Sequence, residues 1–406
     1  MDDPYARLGV HPIINAAGPA TRLSGGILRP EVADAMRAAA QHCVDMAELQ
    51  AAASAVIARI TGAEAGCVTA GAAAGLLLGT AACVTGLDPA AMERLPDTTG
   101  LKRRVLIPRS HRNFYDHAVR AVGVELVEVG IADRFAGAGV RDTEAWEIAA
   151  AIDDRTAAVC YVASPHALPP LAEVVAVAQA AGVPVLVDAA AQLPPPENLR
   201  RFIAAGADLV VFSGGKAIGG PQASGILCGR RELVAAAALQ QLDLDVIPAL
   251  WRPPPALIPR DRVPGVPHHG LGRTCKVGKE QIVGLLTALE LFVAEPAEAR
   301  RARWQALLDE LATACAALPH AVLTVPAAPD RPEIPAARLT LNETAAGLSA
   351  LQLAALLQDG TPSIHVNVAG ARAGWLGLNP VCLQPGEPTR IGRRLRELLA
   401  PAGRRP

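Results

Sequence analysis

Leu209-Val210-Val211-Phe212-Ser213-Gly214-Gly215-Lys216 decides the fold class. A continuous apolar, largely β-branched run of this kind fits a strand buried on both faces. It delivers a serine, two glycines and then a lysine at its carboxyl end. Upstream, Val183-Pro184-Val185-Leu186-Val187-Asp188 is a second such run, and it ends in a carboxylate. Further short apolar runs stand at Val105–Ile107, Val124–Val129, Ala158–Ala163 and Gly225–Cys228. Helical patterns separate most of them, including Asp116–Val122, Glu144–Ile152 and Leu171–Ala181. This alternation predicts an α/β domain with a mostly parallel sheet covered by helices on both faces. In such sheets ligands bind beyond the carboxyl ends of the strands, where Asp188 and Lys216 both fall.

A chain of 406 residues exceeds one compact core. Residues 1–45 read as an irregular N-terminal arm with a first helix. The arm carries Asn15-Ala16-Ala17-Gly18-Pro19 and a turn at Gly25-Gly26, and Pro30 opens the helix. Residues 46–285 form the large domain, beginning with a helix over Ala47–Ile60. Within it, the uncharged stretch Ala65–Leu87 reads as a buried glycine-rich turn and helix, too weakly apolar for a membrane span. The proline-rich residues 248–268 read as a loop, and Val277–Ala294 as a long helix. Residues 286–406 form a smaller α+β domain. Its expected elements are helices near Ala297–Leu318, Ser349–Leu357 and Thr389–Leu399 and a strand near Arg338–Leu341.

Composition narrows the function. The formal net charge is −1 and no basic stripe is visible, which argues against a nucleic-acid partner. Eight scattered cysteines form no Cys-x-x-Cys pair and show no metal-ligand spacing with a histidine, so reduced thiols and no metal site are expected. The amino terminus, Met1-Asp2-Asp3-Pro4, is acidic and leads into no apolar segment. A cytoplasmic enzyme is the expectation.

A lysine and an aspartate at the ends of neighbouring strands are the two protein groups that pyridoxal 5'-phosphate (PLP) requires. Lys216 would form the Schiff base, and Asp188 would keep the ring nitrogen protonated so that the ring can draw in electrons. Thr69-Ala70-Gly71-Ala72-Ala73-Ala74-Gly75 reads as a turn entering a helix, where bare backbone N–H groups suit a phosphate. Ser213 can donate to the same phosphate. After the strand at Val105–Ile107 comes Arg109-Ser110-His111-Arg112-Asn113-Phe114-Tyr115-Asp116-His117, in which His111 is placed to stack on a pyridine ring.

Taken together, these residues resemble the fold type I PLP enzymes. Among them the chain is similar to the branch that holds bacterial selenocysteine synthase and D-glucosaminate-6-phosphate ammonia-lyase. The resemblance runs through Ile14-Asn15-Ala16-Ala17-Gly18 with Thr21-Arg22, then Thr61-Gly62-Ala63-Glu64-Ala65 with Gly71-Ala72-Ala73. It continues through Leu95-Pro96-Asp97-Thr98, His111–Asp116, Asp188-Ala189-Ala190, Ser213–Lys216, Gly272-Arg273 and Lys276–Glu280. It implies a seven-stranded sheet and Lys216 bound to PLP. It also implies Asp188 at the ring nitrogen, His111 over the ring, and phosphate held by Gly71, Ala72 and Ser213. It implies a homo-oligomer, a dimer or an assembly of dimers, with active sites shared between protomers. Arg273 and Lys279 become candidate phosphate or substrate contacts.

Departures from the family pattern bear on the reaction. Ammonia-lyase-type relatives commonly carry an arginine shortly after a Pro-x-Ile segment. Here that segment reads Pro362-Ser363-Ile364-His365-Val366-Asn367, which leaves His365 as a candidate substrate contact. The near-neutral charge and a chain entering directly on the arm disfavour a tRNA-dependent transferase. The expectation is α,β-elimination from a hydroxylated amino acid. Racemisation and aldol cleavage are the alternatives, because they start from the same Cα chemistry; a non-catalytic PLP-binding protein is an alternative of another class, and a doubly wound protein without PLP is the remaining one.

Overall fold

The computed structural model describes residues 4–131, 142–325 and 333–400. Contacts divide the chain into two units, one of residues 28–292 and one that joins residues 1–27 to residues 293–406. The segment read as one arm, 1–45, is therefore split: 1–27 go with the smaller unit and 28–45 with the larger.

Strand β1 (Ile14–Ala16) belongs to the smaller unit. The larger unit holds β2 (Ala65–Thr69), β3 (Arg104–Pro108), β4 (Glu125–Val129), β5 (Thr156–Val162), β6 (Val185–Asp188), β7 (Leu209–Ser213) and β8 (Gly225–Gly229). They make one seven-stranded sheet in the order β2-β8-β7-β6-β5-β3-β4. β8 is antiparallel to both of its neighbours, and the remaining pairs are parallel. Every strand except β8 therefore runs in one direction, as the strand–helix alternation predicts.

Side chains alternate across the sheet, so each strand feeds two cores. Along β7, Leu209 and Val211 enter one core while Val210 and Phe212 enter the other, and all four are fully buried. Each such side chain contributes about 1.5–3 kcal/mol when taken from water. Helices Met46–Thr61, Leu171–Ala180, Asn198–Ala204 and Lys279–Ala294 close the first face. Helices Ala72–Thr85 and Arg231–Gln241 close the second. The proline-rich 248–268 segment is loop with short 3-10 turns, anchored by buried Trp251, Leu257, Ile258 and Val263.

One stretch differs from its sequence reading. Residues 65–69, taken as the start of a turn and helix, are strand β2, and the helix begins only at Ala72. Small residues make this strand possible, because a side chain at Gly66 would collide with Ile57 of the covering helix. The outer edge of β2 is closed by a side chain. Gln50 Oε1 accepts from the Val68 N–H (2.9 Å) and Gln50 Nε2 donates to the Val68 carbonyl (2.8 Å). Buried Gln50 thus stands in for a neighbouring strand.

The smaller unit contains β9 (Ala321–Thr324), β10 (Ala337–Leu341), β11 (Ile364–Val366) and β12 (Trp375–Leu378). β12, β10 and β9 form an antiparallel sheet in that order. The arm, read as irregular, supplies β1, which pairs in parallel with β11 and sets Asn15 opposite His365. Helices Ala297–Ala314, Ala350–Gln358 and Glu387–Leu399 close this core through Leu308, Leu311, Leu353, Leu357, Ile391 and Leu395. Among the described residues no helix is long and apolar enough to cross a membrane.

Candidate active site

The strand directions gather the site residues of the larger unit at one edge. β3, β5, β6 and β7 end there, followed respectively by His111, Ala163, Ala189 and Gly214; β2 ends there too, leading to Gly71. β8, running the other way, begins there at Gly225, paired with both Thr69 and Ser213. Asp188 is the last residue of β6, in register with Val162 of β5 and Val211 of β7. Lys216 follows β7 in a tight turn in which the Gly219 N–H donates to the Lys216 carbonyl (3.0 Å).

Asp188 is 8% exposed. Burial raises its carboxyl above the ordinary aspartate range, while the Ala190 N–H (3.0 Å to Oδ1) and the charge of Lys216 pull it back. Burial lowers the Lys216 ammonium below the ordinary lysine range, and the charge of Asp188 opposes that fall. Burial thus disfavours the charged form of both groups, and each charge favours the other.

Gly71 caps the helix Ala72–Thr85 at φ +107°, a backbone conformation that side chains rarely adopt, and no side chain caps the helix. Its first N–H groups therefore face outward with the positive end of the helix dipole. A Cβ on Gly225 would lie 2.6 Å from the Gly71 carbonyl carbon and 2.8 Å from the Ala72 nitrogen. Only a glycine lets β8 approach the turn so closely. Because Gly225 is paired with half-buried Ser213, the same approach sets the Ser213 backbone beside the turn.

His111 is 5% exposed and fixed from two sides. The Val162 N–H donates to its Nδ1 (3.2 Å), which leaves the proton of the neutral ring on Nε2. Tyr161 meets the ring edge-on, with centroids 4.7 Å apart and planes at 84°, and its hydroxyl donates to the Pro169 carbonyl (3.0 Å). Tyr161 and Gly225 were not singled out from sequence. Each lies in an apolar run, where a tyrosine or a leading glycine looks like ordinary strand.

The remaining candidates are engaged elsewhere. Arg273 donates to Asp243 (3.0 Å) and to the Gln241 carbonyl (3.3 Å), and Lys279 donates to Glu280 (2.5 Å). His365 lies in the smaller unit, with its Nε2 3.1 Å from Ser363 Oγ. Burial, and then the charge of Arg22, lowers its pKa below the ordinary histidine range.

The site's chemistry suits PLP: an uncapped helix start for the phosphate, a buried carboxylate for the ring nitrogen and a deprotonable amine for the aldehyde. Comparison with known proteins agrees. The model of the SelA family, L-seryl-tRNA selenium transferase, matches residues 33–246. The chain is 35% identical to 5'-C-glycyluridine monooxygenase-decarboxylase of Streptomyces sp, over 99% of this chain and 93% of that one. It is 31% identical to D-glucosaminate-6-phosphate ammonia lyase of Salmonella typhimurium, over 97% of each. A solved structure of D-glucosaminate-6-phosphate ammonia-lyase superimposes with a TM-score of 0.80 at 30% identity, covering 98% of this chain and 99% of that one. The cysteine desulfurase CsdA of Escherichia coli shares the fold alone (TM-score 0.51 at 16% identity, 95% and 94% covered). The chain belongs to the SelA-like family of fold type I PLP enzymes, the branch that includes D-glucosaminate-6-phosphate ammonia lyase.

Proposed function

We propose that this enzyme uses PLP to remove water and then ammonia from a 2-amino-3-hydroxy acid with a sugar-derived side chain. The observation that carries the reading is the Lys216–Asp188 pair at the sheet edge, in a chain alignable along nearly its whole length with an ammonia lyase. When bound, PLP draws electrons away from the Cα of an attached amino acid and so acidifies its proton. Lys216 would hold the cofactor covalently, and its Nζ, whose charged form burial disfavours, would be the group that takes the Cα proton. Asp188 holds a proton at the pyridine nitrogen. His111, fixed by Val162 and Tyr161, would pack against the cofactor. The N–H groups at Gly71 and Ala72 and the Ser213 hydroxyl take the phosphate. Arg273 and Lys279, on giving up Asp243 and Glu280, are the proposed phosphate or substrate contacts. The substrate class rests on the two full-length relatives, whose named substrates, D-glucosaminate-6-phosphate and 5'-C-glycyluridine, both join an amino acid to a hydroxylated carbon of a sugar unit.

A second reading is favoured by one observation. The monooxygenase-decarboxylase is the more similar of these two relatives, so oxidative loss of the carboxyl group competes with elimination. A panel of D- and L-3-hydroxy amino acids decides between them. A 2-oxo acid and ammonia in equal amounts, formed without dioxygen, support elimination. Dioxygen uptake with release of carbon dioxide supports the second reading. An aldehyde with glycine would mean aldol cleavage, and inversion at Cα without ammonia would mean a racemase.

The reading includes a cytoplasmic homo-oligomer with shared sites. Phe114 and Tyr115, 97% and 61% exposed and close to His111 in the chain, are aromatic side chains that a second copy would cover. Mixing Lys216→Ala protomers with Arg273→Ala protomers restores activity if sites are shared. Failure despite proven subunit exchange shows that each chain builds its own site.

A further inference from the structure

In the larger unit, the peptide joining Gly71 to Ala72 is held from several sides. Thr69, the last residue of β2, is fully buried, and its Oγ1 donates to the Gly71 carbonyl (2.8 Å). The same carbonyl accepts from the Gly75 N–H (3.1 Å), so both of its lone pairs are engaged. Gly225, the partner of Thr69 across β2 and β8, packs on the flat face of this peptide. A Cβ on Gly225 would lie 2.6 Å from the Gly71 carbonyl carbon, 2.8 Å from the Ala72 nitrogen and 2.9 Å from the Gly71 oxygen. A point so nearly equidistant from three atoms of one plane stands above that plane. The peptide is thus gripped along its carbonyl edge and on one face.

A planar trans peptide points its N–H away from its C=O. With the carbonyl drawn toward Thr69 and Gly75, the Ala72 N–H is turned the other way. As the first N–H of its helix, it has no carbonyl one turn earlier to bond. A hydrogen bond accepted by the carbonyl also polarises the amide and makes that N–H a stronger donor. The one hydroxyl proton of Thr69 is committed to the carbonyl, so Oγ1 has no proton left to give an anion. Thr69 therefore acts through the peptide rather than on a ligand.

We propose that Thr69 is a positioning residue for the phosphate of PLP, its hydroxyl aiming and strengthening the Ala72 N–H that the phosphate accepts from. This rests on the reading that the chain binds PLP with its phosphate at this turn, and the test separates the two. Cofactor-free wild type is first titrated with PLP and with pyridoxal, which has the same ring and aldehyde but no phosphate, following visible absorbance. If PLP does not bind, or binds no tighter than pyridoxal, the functional reading of the turn fails and this inference falls with it. If PLP binds tighter, both ligands are titrated against Thr69→Val, which keeps the shape and loses the donor, and against Thr69→Ser, which keeps the donor. Thr69→Val should bind PLP about three- to tenfold more weakly, the range of one hydrogen bond, and should bind pyridoxal as the wild type does. Thr69→Ser should recover the wild-type preference for PLP. Equal losses for the two ligands would mean general loosening and overturn the proposal, as would an unchanged PLP affinity in Thr69→Val. Should Thr69→Val not fold, Thr69→Cys, whose thiol is a weak donor, takes its place under the same criteria. Independently of affinity, the phosphorus NMR resonance of bound PLP should move in Thr69→Val and return in Thr69→Ser. An unmoved resonance would also overturn it.

Discussion

Asp188 and Lys216 oppose each other's neutralisation across the ends of β6 and β7. Burial favours the uncharged form of both, and the charge of each favours the charged form of the other. Neither group's proton affinity is therefore a property of that residue alone.

Removing the carboxylate isolates the effect of burial on the amine. In the cofactor-free protein, Asp188→Asn takes away the interaction that raises the Lys216 pKa, so that pKa should fall further below the ordinary lysine value of 10.5. The pH midpoint for acylation of Lys216 by cyanate, read by peptide mass spectrometry, should move to lower pH. With PLP bound, the same variant should turn over at least about a hundredfold more slowly, as when a preorganised charge is lost. An unchanged midpoint would separate the two residues.

Lys216→Ala removes the covalent anchor and the Cα base together. Turnover should drop by more than the ~10²–10⁴-fold typical of a lost general base. In the wild type, borohydride reduction should leave the pyridoxyl group on Lys216. Its appearance on Lys276 or Lys279 would reassign the site.

Gly225→Ala forces a methyl group against the backbone of Gly71 and Ala72. The turn must then shift, costing about 1–3 kcal/mol as an overpacked contact. PLP affinity should fall along with stability in urea. Gly265→Ala, which meets open space, is the control and should change neither.

Gln50→Leu leaves the outward N–H and carbonyl of Val68 buried without their partner. The cost should be about 1–3 kcal/mol for each group left unsatisfied. Amides of β2 should exchange with deuterium faster while those of β5 and β6 stay protected, as local opening of an edge strand requires.

The parallel strands were legible because each is a compact β-branched run, as in Val185–Val187 and Leu209–Phe212, and their order made the shared edge predictable. β2 was not, because Ala65, Gly66 and Cys67 carry no β-branched signal; their strand character comes from packing on Ile57 and from the Gln50 side chain. β1 was hidden for a different reason. Three residues at Ile14–Ala16 have no local pattern, and their partner, β11, lies near the other end of the chain. At the site, residue type marked Lys216, Asp188 and His111 as candidates. The supports of His111 depend on strand register, and neither the Val162 N–H nor the edge of Tyr161 can be read from spacing.

The pairing of Ile14 with Ile364 also sets an order of events during synthesis. Every strand of the large sheet lies between these partners, so that sheet can form while the carboxyl-terminal region is still being translated. Residues 14–16 must wait for residues 364–366 before the hydrogen bonds of this pair exist. Closing so long a loop costs little more free energy than closing a shorter one, because the cost grows only with the logarithm of length. The delay is therefore one of time rather than stability. A ribosome stalled before residue 364 would hold a folded sheet with an unpaired, sticky amino-terminal strand, the point at which a nascent chain of this kind is most open to chaperones or to aggregation.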